Sequence, residues 1–302
     1  MLHQRYRLAA ALCAGASLSL LSSGAAAEHR WGKGPPSWGP GELVLTGAGC
    51  PIETSDARSL MVATGRTGGL GGLDIWAIDR AAVGEPWSAP KPLPAPVNSP
   101  QADFCPSPFE RSLFFVSARP AEACPGDQGG DIYLTRQSPA GDWSEPIHLP
   151  CAPHGPNTAG VERSPSLVET WYGTFLFFST NQGVAGAGED IYVSFMGDEG
   201  NFTRGYLVNA LSTTNFQDQM PTVRELDGGF AVTFNSDRPD ALAQGGQDVY
   251  YASASFLPFW WSKPRNVGPN VNTAANETRA SLSWDGQRLY AGRGDVYVSE
   301  RQ

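Results

Sequence analysis

Charge is scarce in this chain, at 17% of 302 residues, and histidine is scarcer still, at four. There is no CxxC pair, no Gly-Lys-Ser or Gly-Lys-Thr behind a glycine-rich turn, and no long apolar run after Leu21. These absences argue against a thiolate zinc site, a phosphate-cradling loop and a transmembrane segment in the mature chain. Amphipathic helical spacing is missing as well. His29, His148 and His154 lack metal-ligand spacing, and no Ser-His-Asp set or nucleophile elbow can be assigned. With a formal net charge of −9, nucleic acid is not an expected partner.

What is abundant is glycine, at 35, and proline, at 25, as many short strands and tight turns require. One phrase also recurs five times: Asp74-Ile75-Trp76, Asp131-Ile132-Tyr133, Asp190-Ile191-Tyr192, Asp248-Val249-Tyr250 and Asp295-Val296-Tyr297. Repeats of this size bury their apolar faces only by stacking on their neighbours. In the second unit, four β-like runs surround the phrase: Cys105 to Ser107, Ser112 to Ser117, Asp131 to Thr135 and Glu145 to Leu149. The second run is nearly all apolar in most units, as in Thr174-Phe175-Leu176-Phe177-Phe178, which suits a strand covered on both faces. The fourth opens on an aromatic and a proline, as in Trp143-Ser144-Glu145-Pro146, so it reads as the outermost strand.

The pattern predicts an all-β five-bladed β-propeller of four-stranded antiparallel blades over 38–302. The fifth unit ends after its third strand, and Trp38 to Leu45 resembles the missing outer strand, so the N-terminal strand is expected to close the ring. Ahead of it, Arg5 and Arg7, an apolar run from Leu8 to Leu21 and Ala25-Ala26-Ala27 read as a secretory signal over 1–27, followed by a leader over 28–37. The expected location is periplasmic or secreted. Export leaves Cys50, Cys105, Cys124 and Cys151 as candidates for two disulfides, with Cys105 to Cys124 the favoured pairing.

The first strands begin Asp103-Phe104-Cys105-Pro106, Glu162-Arg163-Ser164-Pro165, Asp218-Gln219-Met220-Pro221 and Glu277-Thr278-Arg279-Ala280, whereas the first unit has Ala48 ahead of Gly49-Cys50-Pro51. Since first strands surround the axis, Asp103, Glu162, Asp218 and Glu277 are expected to converge at one mouth of the channel, where like charges raise some pKa values. Three uses compete. Each acid can accept hydrogen bonds from nearby loops and pin the blades, together they can hold a hard cation such as Ca²⁺, or two can act as general acid and base. Repetition favours the first, because a catalytic residue is needed once. Arg163 and Arg279 are candidates for recognising an anionic group, with pairing to the acids as the competing use. The expected ligand-binding face is this axial mouth.

Elsewhere, Asn98, Asn157 and Asn272 stand five residues before an acid and suit side-chain to backbone turns. Arg66 with Asp74 and Arg238 with Asp248 are expected ion pairs. Asn201 and Asn276 head glycosylation patterns, and Phe256, Phe259, Trp260 and Trp261 form an aromatic cluster that reads as a sugar or protein contact, with core packing for Trp261.

Ser112 to Pro120, Gly129-Gly130-Asp131-Ile132-Tyr133 and Trp143-Ser144-Glu145-Pro146 resemble the WD40-like repeats of the TolB-related β-propeller family. That resemblance implies an exported bacterial propeller of the cell envelope, used as a binding module. The chain departs from the Tol-system protein in having five units, not six, and no additional N-terminal domain. The expectation is therefore a non-catalytic module that binds a protein, a glycan or a small molecule. The alternative is a glycoside hydrolase using inner-strand carboxylates as general acid and base, by analogy with other five-bladed propellers.

Overall fold

The computed structural model describes residues 36–120, 124, 129–182, 184, 188–197, 199–213, 215–226 and 228–302. The expected signal segment, and all but the last two residues of the leader, lie outside them. No helix is long and apolar enough to cross a membrane among the described residues.

Among the described residues, twenty strands form five four-stranded antiparallel sheets. Each of the first four blades takes its strands in chain order. Blade 1 is β2 (Gly49–Glu53), β3 (Ser59–Thr64), β4 (Asp74–Asp79) and β5 (Lys91–Pro92); blade 2 is β6 (Asp103–Phe109), β7 (Ser112–Ser117), β8 (Asp131–Arg136) and β9 (Ile147–His148). Blade 3 is β10 (Glu162–Thr170), β11 (Gly173–Thr180), β12 (Asp190–Phe195) and β13 (Tyr206–Leu207); blade 4 is β14 (Asp218–Leu226), β15 (Gly229–Ser236), β16 (Asp248–Ala254) and β17 (Arg265–Asn266). Blade 5 joins β18 (Thr278–Leu282), β19 (Arg288–Gly292) and β20 (Val296–Glu300) to β1 (Glu42–Leu45), the N-terminal strand.

That last pairing closes the ring as expected. Glu42 pairs with Val298 and Leu43 with Tyr297, while Trp38 bridges Arg301. Trp38 is buried in the seam between blades 4 and 5, with its carbonyl accepting from Asn270 Nδ2 at 2.7 Å.

The blades stack because their middle strands are apolar on both faces. In β7, Leu113 and Phe115 pack with Ile52 and Ile75 of blade 1, while Phe114 packs with Leu176 and Phe178 of blade 3. Every seam has its own apolar cluster, including Leu60, Val62 and Tyr290 between blades 5 and 1. Each fully buried Leu or Phe contributes about 1.5–3 kcal/mol.

The outer strands are shorter than the sequence suggests. The expected Glu145 to Leu149 strand reduces to Ile147–His148, and Trp143 makes only an isolated bridge to Gln137. Pro90, Pro146 and Pro264 follow the aromatics and offer no N–H, which interrupts the ladder there.

All five inner strands shift register near their start. In four of them the shift coincides with a left-handed residue: Cys50, Cys105, Ser164 and Met220, with φ of 49°, 48°, 47° and 57°. These bulges bend the strands where they enter the axis. The starts of the inner strands, with the connections from the preceding blades, form the entry mouth. The hairpin turns lie on the opposite face.

Candidate functional site

The four inner-strand acids are buried, each closed into the seam with the preceding blade. Asp103 accepts from Ser99 N and Oγ at 2.7 Å and from Ser117 Oγ at 2.5 Å. Glu162 accepts from Thr158 Oγ1 at 2.6 Å and Thr180 Oγ1 at 2.7 Å. Asp218 accepts from Thr213 N and Oγ1 at 2.7 Å, and Glu277 from Thr273 N at 3.0 Å and Oγ1 at 2.7 Å. Their backbone N–H groups repeat one bond, donating to Leu73, Gly130, Glu189 and Gln247 of the blade before. The asparagines complete the seam: Asn98 exchanges two bonds with the backbone of Ile75, Asn157 with Ile132 and Asn272 with Val249. Ser212 takes this role at Ile191.

Hard-cation binding asks for oxygens of several acids in one cavity. Among the described residues, the only three or more His, Cys, Asp or Glu whose ligand atoms lie within 4.8 Å of one another are Cys124, His148 and Cys151, and those two cysteines are bonded to each other.

The arginine pairing differs from expectation. Arg119 Nη2 donates to Asp103 Oδ1 at 2.8 Å, and Arg238 Nη2 bonds Asp218, so the loop arginine clamps the inner-strand acid of its own blade and not the third-strand aspartate. Arg66 donates to the Thr46 carbonyl at 2.6 Å, since blade 1 has Ala48 where the others have an acid. In blade 3 the arginine position is Gln182. There burial pushes the Glu162 carboxyl up to about 8 against the pull of the two threonine hydroxyls, with nearby Asp131 adding to the rise. Its Oε1 takes both hydroxyl bonds, and Oε2 has no partner among the described residues. Burial likewise raises Glu277 to about 7 and Asp190 to about 6, the latter with help from Asp218.

Blade 3 also breaks the repeat at the entry mouth. Arg163 Nε donates to Glu189 Oε1 at 2.7 Å, and Ser179 Oγ donates to Glu189 Oε2 at 2.9 Å. Arg163 is one-third exposed. Reading the sequence for repeated acids passes over Glu189, because its equivalents are Leu73, Gly130, Gln247 and Gly294. The signal for it is that departure from the repeat.

Arg279 lies apart from the acids. It is fully buried and crosses the axis, donating to Pro106 O, to Pro165 O at 3.2 Å and to Thr222 Oγ1 at 3.2 Å. Burial pushes it down to about 9, with Arg224 adding to the effect. Further along the channel, Glu53 meets Arg80 at 2.5 Å, Arg288 at 3.5 Å and the Tyr290 hydroxyl at 2.9 Å.

Both disulfides form, but between other partners than the favoured pair: Cys50 with Cys105 and Cys124 with Cys151. Cys50 and Cys105 occupy the same bulge in adjacent blades, so radial stacking brings them together. Cys124 instead meets the connection leading out of its own blade.

No protein-family model matches the chain, and no curated protein does. The fold is similar to a thermostable family-43 glycoside hydrolase (TM-score 0.56, 16% identity, covering 85% of this chain and 89% of that one). It is similar also to an α-L-arabinofuranosidase from Podospora anserina in complex with cellotriose (0.57, 13%, 88% and 97%). A third is an α-L-arabinanase from Penicillium chrysogenum complexed with arabinobiose (0.51, 12%, 85% and 83%). At such identities the likeness shows the fold. These structures are glycoside hydrolases and not TolB-related WD40-like propellers, so the expected family is corrected. The non-catalytic binding module expected from that family falls with it.

Proposed function

We propose that this chain is a glycoside hydrolase acting on glycans that contain arabinofuranose or a related sugar, with Glu162 as general acid and Glu189 as general base. The observation that carries this reading is the break in the five-fold repeat at blade 3, where the Glu162 carboxyl is pushed up to about 8 and the next residue along β10, Arg163, holds the Glu189 carboxylate in an ion pair. Glycoside hydrolysis needs two carboxyl groups in opposite protonation states. Glu162 gives the proton on Oε2 to the glycosidic oxygen as the bond from that oxygen to the anomeric carbon breaks. Glu189 takes a proton from water as the water oxygen bonds to that carbon. Its two bonds to Arg163 and Ser179 leave lone pairs for the water. Glu162 is closed from solvent, so this reading requires the seam over its carboxyl to open when substrate binds.

The arabinanase and arabinofuranosidase activities of the proteins sharing the fold support the substrate class. Two disulfides suit work outside the cytosol. The test is purified protein on a panel of arabinan, arabinoxylan and aryl arabinofuranosides, followed by NMR of the anomeric signals. Turnover is expected, with Glu162→Gln and Glu189→Gln each lowering kcat about 10²- to 10⁴-fold. No turnover on any member of the panel overturns the reading.

A further inference from the structure

On the hairpin face, away from the entry mouth, blades 3 and 4 carry aromatics that core packing leaves unused. Trp171 is 87% exposed and Trp260 74%, while Phe256, Phe259 and Tyr206 are 40–50% exposed. The rings of Tyr206, Phe256 and Trp171 connect in series through Phe195, Phe175 and Tyr172. Tyr206 meets Phe195 at 5.6 Å between centroids, Phe195 meets Phe175 at 5.6 Å, and Phe175 meets Tyr172 at 5.8 Å. Tyr172 then stacks on Phe256 at 4.5 Å and 7°, and Trp171 stands edge-on to both. Leu257 N donates to the Tyr172 hydroxyl at 2.9 Å, which holds the blade 4 connection against the blade 3 turn. At the Tyr206 end, the series opens on a cavity of about 430 Å³ on the outer flank of blade 3, walled by Asn201, Thr203 and Arg204 and, from the connection out of blade 2, by His154. The Arg204 guanidinium lies 5.2 Å from the Tyr206 ring.

Ring faces beside amide, hydroxyl and guanidinium groups match the two sides of a sugar, whose C–H face stacks on aromatics while its hydroxyls take hydrogen bonds. An anionic bilayer would call for a basic collar. The segments bearing the rings instead mix Arg204 and Lys263 with Glu169 and Glu199. We propose that this surface is a second glycan-binding site, remote from the axis, in which the cavity takes a terminal sugar and Tyr206, Phe256 and Trp171 carry the chain. The choice of a glycan over a protein rests on the hydrolase reading above.

Affinity electrophoresis in gels containing arabinan or arabinoxylan tests it. Wild-type protein is expected to be retarded. Trp171→Ala with Phe256→Ala should weaken Kd about tenfold, ~1.4 kcal/mol, while kcat/KM on an aryl arabinofuranoside stays unchanged. Trp171→Ala alone, at so exposed a position, serves if the double variant does not fold. Arg204→Ala should also weaken binding. Absence of retardation in the wild type, or retardation untouched by these variants, overturns the proposal, as does their loss of binding to anionic vesicles or of self-association instead. Polysaccharide binding without turnover would leave this site standing and sink the hydrolase reading; aryl-substrate turnover without polysaccharide binding would do the reverse.

Discussion

At Glu162 the proton is held by what surrounds it among the described residues: two threonine hydroxyls on one oxygen, no partner on the other, and no arginine where Asp103 and Asp218 each have one. Its folded pKa, about 8, lies above the ordinary 4.5. The folded state therefore binds this proton more tightly, and the stability this contributes is complete below the unfolded pKa and lost as pH rises through 8. Glu277, raised to about 7, acts in the same direction. Glu162→Gln keeps the neutral shape, so thermal melts from pH 5 to 9 should show a flatter dependence than wild type and a Tm at least equal to it at pH 9. A wild-type slope retained in the variant would show that the proton sits elsewhere.

At the scale of the element, a blade is a short meander whose weak point is its join to the next. The outer strands are two residues long in the first four blades, so the connection to the following inner strand is secured mainly by side chains. Asn157 is the clearest case, bonding Ile132 N at 2.9 Å, Ile132 O at 3.1 Å and Leu149 O at 2.8 Å while fully buried. Asn157→Ala leaves those backbone groups without these partners, at about 1–3 kcal/mol each before relaxation. Urea unfolding should show a lower midpoint with an unchanged slope. Asn272→Ala should behave alike, because it holds Val249 in the same way; a loss confined to one of them would refute a shared role.

For the whole molecule, closure and the axis decide cohesion. Arg279 ties blade 5 to blades 2, 3 and 4, and Ser281 Oγ ties it to Pro51 O of blade 1 at 2.8 Å. Trp38 seals the outside of the same blade. Trp38→Ala is expected to cost about 3–5 kcal/mol and to expose the edge of β20, read as a lowered unfolding midpoint with a rise in aggregation on heating. An unaltered midpoint would mean that the ring is held without its N-terminal strand.

The sequence by itself determined the repeat, the four strands of each blade and the closing strand, because these follow from alternation, turn chemistry and one recurring phrase, all short in range. The seam asparagines were legible for the same reason. Tertiary structure alone decided that the four acids face separate seams, that Arg238 reaches Asp218 and not Asp248, that Cys50 pairs with Cys105, and that Arg163 and Glu189 meet. Each of these contacts depends on the bulge and on the radial stacking of sheets, which set which side chain enters a seam and which faces the axis. No local pattern encodes that angle.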